Sequence, residues 1–487
     1  MPVQPLPQSP SVIHSSALPP EARGYRAVLQ NRSFITLWLG QIFSQVADRI
    51  VFVVFVSLIV FHYGVSDRYT SFLYIAFTIP AILLTAIAGV YVDRWPRRAV
   101  LVSTNVARGV LVALTPWAAE GHLWALYLLA FLLSAATQFF VPAEAATIPA
   151  IVPKHQLTSA NSLFTTTMMA SVIFGFALGD PLINVFSLKQ VHWAIVGLFF
   201  LSALMLSRLV VPPRLRLTTE DVSGYGETHQ QMAAPPNVRQ SLRALLEDLK
   251  DGISYIQQNG LIWRAIWKLS LLFSAVVAMC ILFVSFAKAY LYADAAVAAR
   301  KFAYIIAVSG VGMALGAVLV SKPLHAVPRG FLVYGGYLLL GLSLAFLCLV
   351  EQVSPRVEGL LFGFPAMHVG PMFLESFSFT VRMGYTYGLS FLMGLSAAAV
   401  AIPLQVTLHE LIPEDKRGKV LGVQFTMLST CSTLPVLVAG LGAEFLGVKL
   451  MLLAMAMPFL LLGSVGLYQR WRQASDAKTS DIHPAQW

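Results

Sequence analysis

The chain has 487 residues, of which 57% are hydrophobic and only 11% charged, with a mean hydropathy of +0.72. Soluble domains carry about 25% charged residues, so the composition excludes an ordinary water-soluble protein and places most of the chain in lipid or against other buried helices. The formal charge of +10 does not signal nucleic acid, because the basic residues follow the loops of a membrane topology.

Met1 to Gln30 holds six prolines and several serines but no apolar stretch of the signal-peptide kind. It is expected to be a disordered cytoplasmic tail over 1–30. Beyond it, apolar runs between charged or Pro/Gly-rich breaks predict an all-α integral membrane protein of twelve transmembrane helices. A bilayer core of about 30 Å needs about 20 apolar residues per helix. Lipid obliges each span to satisfy its own backbone polar groups, which selects helices over the alternating strands of a barrel. The first six runs lie near 34–61, 71–91, 99–118, 123–141, 160–186 and 193–211, and the second six near 266–289, 302–321, 331–350, 385–408, 420–445 and 451–468. Pro142 and Pro403 are expected at the ends of the fourth and tenth helices.

Lys and Arg orient this map. With the N-terminus inside, the outward side holds Arg68, Lys189, Lys288, Arg300, Lys301, Arg356, Arg382 and Lys449, while Arg49 and Arg108 fall inside spans. The excess on the inward side matches the positive-inside bias and predicts both termini in the cytoplasm. The predicted domains are a first six-helix half over 31–212, a linker over 213–262, a second half over 263–470 with an outward insertion at 351–384, and a tail over 471–487. In the linker, Leu242, Leu245, Leu246, Leu249, Ile253 and Ile256 recur every three or four residues, the pattern of an amphipathic helix on the inner membrane surface or capping the bundle.

Polar residues inside the spans mark the candidate site. In the first helix, Gln45 follows Gln41 by four residues, and Asp48 and Arg49 follow Gln45 by three and four, which puts Gln41, Gln45, Asp48 and Arg49 along one stripe, with Asp48 about halfway through. An ionisable group at mid-membrane costs at least about 2.5–3.5 kcal/mol on insertion scales, so it faces a partner or a wet cavity. Asn105 and Arg108 share a face of the third helix, and Gln138 is a weaker polar position in the fourth. Asp48 reads either as a proton-titrating or cation-pairing carboxylate, or as half of a permanent salt bridge that fixes packing. Whether Arg49 or Arg108 approaches it decides between them. In the second half, Gly310, Gly312 and Gly316 predict close helix approach, and Thr426, Ser429 and Thr433 form a polar stripe beside Gln424.

The turn GVYVDRWPRR supplies Gly89, Asp93, Arg94, Arg97 and Arg98 between the second and third runs. Glycine allows tight approach, and Asp93 suits a helix N-terminus, where the dipole favours an anion. The arginines can pair with carboxylates of neighbouring helices or with lipid phosphates. Pairs formed only when the inner side is closed would bias a two-state equilibrium, which makes this turn a candidate gate. The other reading is positive-inside anchoring. Cys280, Cys348 and Cys431 all lie in apolar runs, with no disulfide framework or zinc spacing. HExxH, GxSxG, CxxC and Walker-type motifs are missing from the sequence, so neither an enzyme nor a built-in ATP motor is expected.

The whole pattern resembles the major facilitator superfamily, built from two pseudo-symmetric six-helix halves. The resemblance covers about 31–471. The family's loop between helices two and three is matched by Gly89, Asp93, Arg94, Arg97 and Arg98. FITLWLGQIFSQVADRI resembles the first helix of exporter-type members, the branch of macrolide-efflux and enterobactin-export permeases, with Asp48 at that helix's acidic position. FFVPAEAATIPAIVPKHQLTSANSL and IPEDKRGKVLG are similar to the branch's segments after helices four and ten, so Glu410 and Arg417 join the gating residues. LLEDLKDGISYIQQNG is similar to its central-loop helix. Glu144 stands where many relatives have a basic residue, GFALGDPL only partly resembles the antiporter motif, and VSKPLHAVPRG has lost most of the loop motif's charges. The resemblance implies a secondary transporter in a bacterial inner membrane, monomeric and without cofactor or metal. It would export a small amphipathic drug-, siderophore- or lipid-like solute with protons as coupling ion. The alternatives are a gradient-independent facilitator or lipid flippase, and a non-transporting membrane sensor.

Overall fold

A computed structural model describes residues 25–64, 67–92, 95–211, 247, 250–321, 327–353, 355–356, 371–413 and 416–479. Among these residues the regular structure is entirely helical. The first half contains α1 (Tyr25–Gln30), α2 (Arg32–Tyr63), α3 (Asp67–Val92), α4 (Arg97–Ala113), α5 (Thr115–Gly121), α6 (Leu123–Ile151), α7 (Leu157–Phe186) and α8 (Val191–Ser207). The second contains α9 (Gly260–Phe286), α10 (Ala295–Ser321), α11 (Arg329–Leu347), α12 (Pro371–Leu411), α13 (Arg417–Leu446) and α14 (Val448–Thr479). Nine of the described helices are long and apolar enough to cross a bilayer, and the bent pair α4–α5 makes a tenth. Apolar helices at Arg68–Leu84 and Val191–Ser207 are shorter.

Several boundaries differ from the sequence reading, each for a local reason. The tail expected over 1–30 ends in α1, which Val28 anchors by complete burial. Asn31 then caps α2, accepting from the Phe34 amide at 3.2 Å while donating to the Ile151 carbonyl at 2.7 Å. The third span breaks at Leu114, where Pro116 enters the first turn of α5, and the two segments meet at 41°. Pro142 and Pro403 lie inside α6 and α12 rather than at their ends. A proline stays inside a membrane helix when neighbouring helices and local adjustments satisfy the freed backbone groups. As a result α6 runs ten residues past the expected stop at 141 and carries PAEAATIPAI as helix. Part of the expected outward insertion likewise belongs to α12, which begins at Pro371, and α14 continues to Thr479. Leu242, Leu245, Leu246 and Leu249 of the expected linker helix lie outside the described residues. The helical stretch 250–258 buries Ile256 and exposes Ile253.

In each half the helices pack around one another, α2 against α7 and α8, α4 against α6 and α8, and α12 against α10 and α11. The halves meet where α3 faces α13 and where α2 and α7 face α10. Polar ties between the halves gather at the end far from the chain termini. Arg68 at the start of α3 pairs with Glu444 near the end of α13. Arg300 on α10 donates to Asn184 at 2.7 Å and lies 3.7 Å from the Asp180 carboxylate, both on α7. Tyr304 donates to Asp180 at 3.1 Å, and Ser57 on α2 donates to the Ala299 carbonyl at 3.1 Å. Among the described residues, these contacts tie the two halves together at the distal end.

Small residues bring α10 and α12 together. A Cβ at Gly394 would run into the Ser309 carbonyl, and one at Gly312 into the Phe391 carbonyl, the backbone approach that small residues permit in membrane bundles. Replacement of Gly394 by alanine is expected to lower the detergent-solubilised protein's melting temperature, an overpacking cost of about 1–3 kcal/mol. Gly388→Ala, on the same helix with no atom within 4 Å of the added carbon, is expected to leave it within about 0.5 kcal/mol of wild type.

Candidate functional site

The site grows from the middle of α2. Gly175 and Gly179 on α7 sit where an added Cβ would lie 2.5 Å from the Arg49 Cβ and 2.8 Å from a Val53 methyl. The two helices therefore press together along 46–53 and fix the azimuth of α2. On its other side Ser202 of α8 donates to the Gly40 carbonyl at 2.7 Å. So held, α2 aims Ser44 and Asp48 toward α4.

Arg108 answers from α4, sixty residues away in sequence. Its side chain is 0% exposed and that of Asp48 32%. One terminal nitrogen of Arg108 donates to both Asp48 oxygens, at 2.9 and 3.2 Å. The other donates to Ser44 Oγ at 2.8 Å and to Asn105 Oδ1 at 3.0 Å. Asn105 is turned for this by donating its own amide to the Leu101 carbonyl at 2.9 Å. The faces of the guanidinium rest on Phe140 of α6 and Phe199 of α8, with ring centroids at 4.7 and 4.9 Å, so the cation is sandwiched as well as paired. Arg108, not Arg49, is thus the hydrogen-bonded partner of Asp48.

The remaining predicted residues divide. Gln45 accepts from Ser171 of α7 at 2.9 Å. Gln41 is buried with neither end of its amide hydrogen-bonded. Arg49 lies within electrostatic reach of Asp48 but presses its stem on Gly175, away from Arg108. Of the candidate gate, Asp93 and Arg94 lie outside the described residues. Gly89 closes the last turn of α3 with nothing within 4 Å of an added Cβ. Arg97 and Arg98 open α4, the first half-buried and the second exposed, and Trp95 stacks on Phe139 at 6.2 Å. Glu410 is taken by Arg329 through two hydrogen bonds of 2.5 and 2.8 Å, an exposed pair within the second half. Arg417 is the first residue of α13. Gln424 donates to Gln405 across α13 and α12 at 3.1 Å.

Ser44 and Glu144 were not singled out as site residues in the sequence. Ser44 stands four residues before Asp48, the spacing of one helix face, and that signal was available. Glu144, 4% exposed, lies in the helical extension of α6 with Arg108 and Asp48 in electrostatic reach. Lys268, inside α9, contacts the Tyr334 hydroxyl at 2.9 Å and its ring at 4.5 Å. Among the described residues no three His, Cys, Asp or Glu side chains gather to hold a metal ion.

The profile of the Major Facilitator Superfamily matches residues 37–382. The chain belongs to this superfamily. It is an integral membrane transporter, and members of the superfamily carry small-molecule substrates. YfiS, an uncharacterized MFS-type transporter of Bacillus subtilis, is 26% identical over 440 residues, 90% of this chain and 93% of that protein. Macrolide efflux protein A of Streptococcus pyogenes is 24% identical over 229 residues, 46% of this chain and about half (51%) of the efflux protein. Among solved structures, the nucleoside transporter NupG aligns with a TM-score of 0.63 at 11% identity, covering 90% of this chain and 98% of that one. A bacterial homologue of the iron transporter ferroportin aligns at 0.59 and 15% identity, covering 89% and 98%. These likenesses show the shared fold.

Arg108→Met is expected to destabilise the protein, because it strands the Asp48 carboxylate and the two polar groups that Arg108 satisfies. Asp48→Asn added to it is expected to restore part of the loss. The pair coupling in a double-mutant cycle of melting free energies should be on the order of 1–3 kcal/mol. Strict additivity would mean that the pair contributes nothing to stability.

Proposed function

We propose that this transporter exports a small amphipathic solute by alternating access, driven by protons through the Asp48–Arg108 pair. The observation that carries the proposal is that pair's asymmetry. Arg108 is sealed from solvent, while Asp48 remains one-third exposed at mid-span. A carboxylate that is both wetted and ion-paired can gain a proton from water, and doing so removes the charge that holds Arg108. Such an event changes the relative free energies of two conformations, which is what coupling requires. The likeness to macrolide efflux protein A supports the outward direction and a drug-like solute.

In this reading the distal end faces outward, both termini are cytoplasmic, and the protein acts as a monomer in a bacterial plasma membrane. The excess of inward Lys and Arg supports the orientation, and the bacterial relatives support the membrane. The closed distal ties then make the present form outward-closed. The turn at Gly89–Arg98 would brace the opposite end in the alternate form. A gradient-independent facilitator or flippase is the second reading. It is favoured by the four hydrogen bonds and two aromatic rings that hold Arg108, which suit a permanent brace as well as a switch.

Efflux of dyes, antibiotics and siderophores from cells making wild type or Asp48→Asn separates the two. Wild type is expected to expel at least one compound, a protonophore to stop it, and Asp48→Asn to lose active export at normal expression. Equal, protonophore-resistant efflux by both would favour the facilitator. A second expectation concerns the distal ties. In a variant with the native cysteines replaced and Cys placed at Ser57, combined loss of Arg68 and Arg300 should raise labelling by a membrane-impermeant thiol reagent several-fold. Unchanged labelling would show that those contacts do not hold the outer end shut.

A further inference from the structure

Among the buried polar atoms without a hydrogen-bond partner are Nε of Arg108 and Oε1 of Glu144. They belong to oppositely charged side chains on adjacent packed helices, α4 and α6. The remaining Arg108 donors are already committed to Asp48, Ser44 and Asn105. Of the described charged and titratable groups, Arg108 from α4 and Asp48 from α2 act on Glu144. The other helices packed against α6, namely α3, α5 and α7, bring none. Arg49 acts on Asp48 from the same helix but is not among the groups acting on Glu144.

The charge balance is therefore uneven. Asp48 has two cations near it and a partly exposed side chain, whereas Glu144 must share one cation that is bonded elsewhere. An ionised carboxylate left buried and unpaired costs several kcal/mol, and such a group neutralises instead. Two carboxylates competing for one guanidinium cannot both be ionised at low cost, and Glu144 is the one disfavoured while Arg108 stays with Asp48.

We propose that Glu144 is a second proton-bearing carboxylate of this site. It holds a proton while Arg108 is paired with Asp48, and takes over Arg108, releasing that proton, when Asp48 is neutralised. The step balances. Asp48 gains a proton or a cationic solute group, its pairing with Arg108 breaks, and the Glu144 O–H bond breaks with the proton passing to a water molecule. The Glu144 carboxylate then accepts from Arg108, and the proton Glu144 releases offsets the positive charge Asp48 has received, so the cluster's net charge is unchanged. The proposal deepens the proton-coupled reading of the same site and names the residue that keeps Arg108 paired in both halves of the cycle.

Infrared difference spectroscopy of the full-length protein in lipid bilayers tests this with no transported solute and no gradient. The difference between wild type and Glu144→Gln at neutral pH should contain the C=O stretch of one protonated carboxyl group. Carbon-13 labelling of glutamate in the unmutated protein should shift the same band, which keeps the test open if Glu144→Gln does not fold. In Asp48→Asn, Arg108 is free to turn to Glu144, so the band should disappear at neutral pH and return only on acidification. No protonated glutamate band in wild type would overturn the proposal. So would a band that persists unchanged in Asp48→Asn, since Glu144 would then not exchange partners with Asp48. Protonophore-resistant efflux would defeat the proton-coupled reading while leaving these spectra intact, so the two failures are distinguishable.

Discussion

A guanidinium held at the middle of a membrane protein is the constraint around which the first half is arranged. A guanidinium keeps its charge at ordinary pH, so the protein must meet it. Four helices contribute: α2 brings Asp48 and Ser44, α4 brings Asn105 and Arg108 itself, and α6 and α8 bring the rings of Phe140 and Phe199. Few of these contacts survive a shift of about one ångström, because hydrogen bonds weaken steeply outside their narrow geometry. The glycines of α7 and the Ser202–Gly40 bond of α8 have their place in this scheme, since they set the rotation of α2 that aims Asp48.

The polar site lies within one half, whereas the distal closure is made between halves. Rocking of one half against the other can break Arg68–Glu444 and the Arg300, Tyr304 and Asp180 cluster without disturbing the Arg108 cage. The two devices are coupled through α2 and α7. Ser57, nine residues beyond Asp48 on α2, ties to the Ala299 carbonyl beside Arg300. Asp180, at the distal end of α7, follows the glycines that grip Arg49 and Val53. Asp48 therefore sits on one of the two first-half helices that carry these distal ties.

Much of the fold was legible because lipid leaves a chain few options. Apolar runs of membrane length with charged breaks point to the helices and the all-helical membrane class, while the superfamily is legible only through the resemblance of motifs such as GVYVDRWPRR. What failed were the ends. Pro142 reads as a stop under a rule that holds for helices in water, and that reading puts Glu144 beyond the helix. With α6 extended, the same glutamate becomes a buried partner of the site. The Asp48 and Arg108 candidates were visible as charges inside apolar runs. Their pairing was not, since sixty residues separate them and Arg49 lay next door. Glu410 shows the opposite case. Its place in a family-like segment suggested a gate, while its two bonds to Arg329 tie it locally within the second half.

The most direct test of the central claim, that the charge of Asp48 sets the conformational balance, needs no known solute. Spin labels at Phe61 on α2 and Phe445 on α13, both exposed at the distal end of opposite halves, would report the distance between those ends in bilayers as pH is lowered. The account predicts that a longer, distal-open population grows on acidification in wild type. In Asp48→Asn the distribution should no longer respond to pH. A wild-type distribution indifferent to pH, or an identical pH response in the variant, would contradict it.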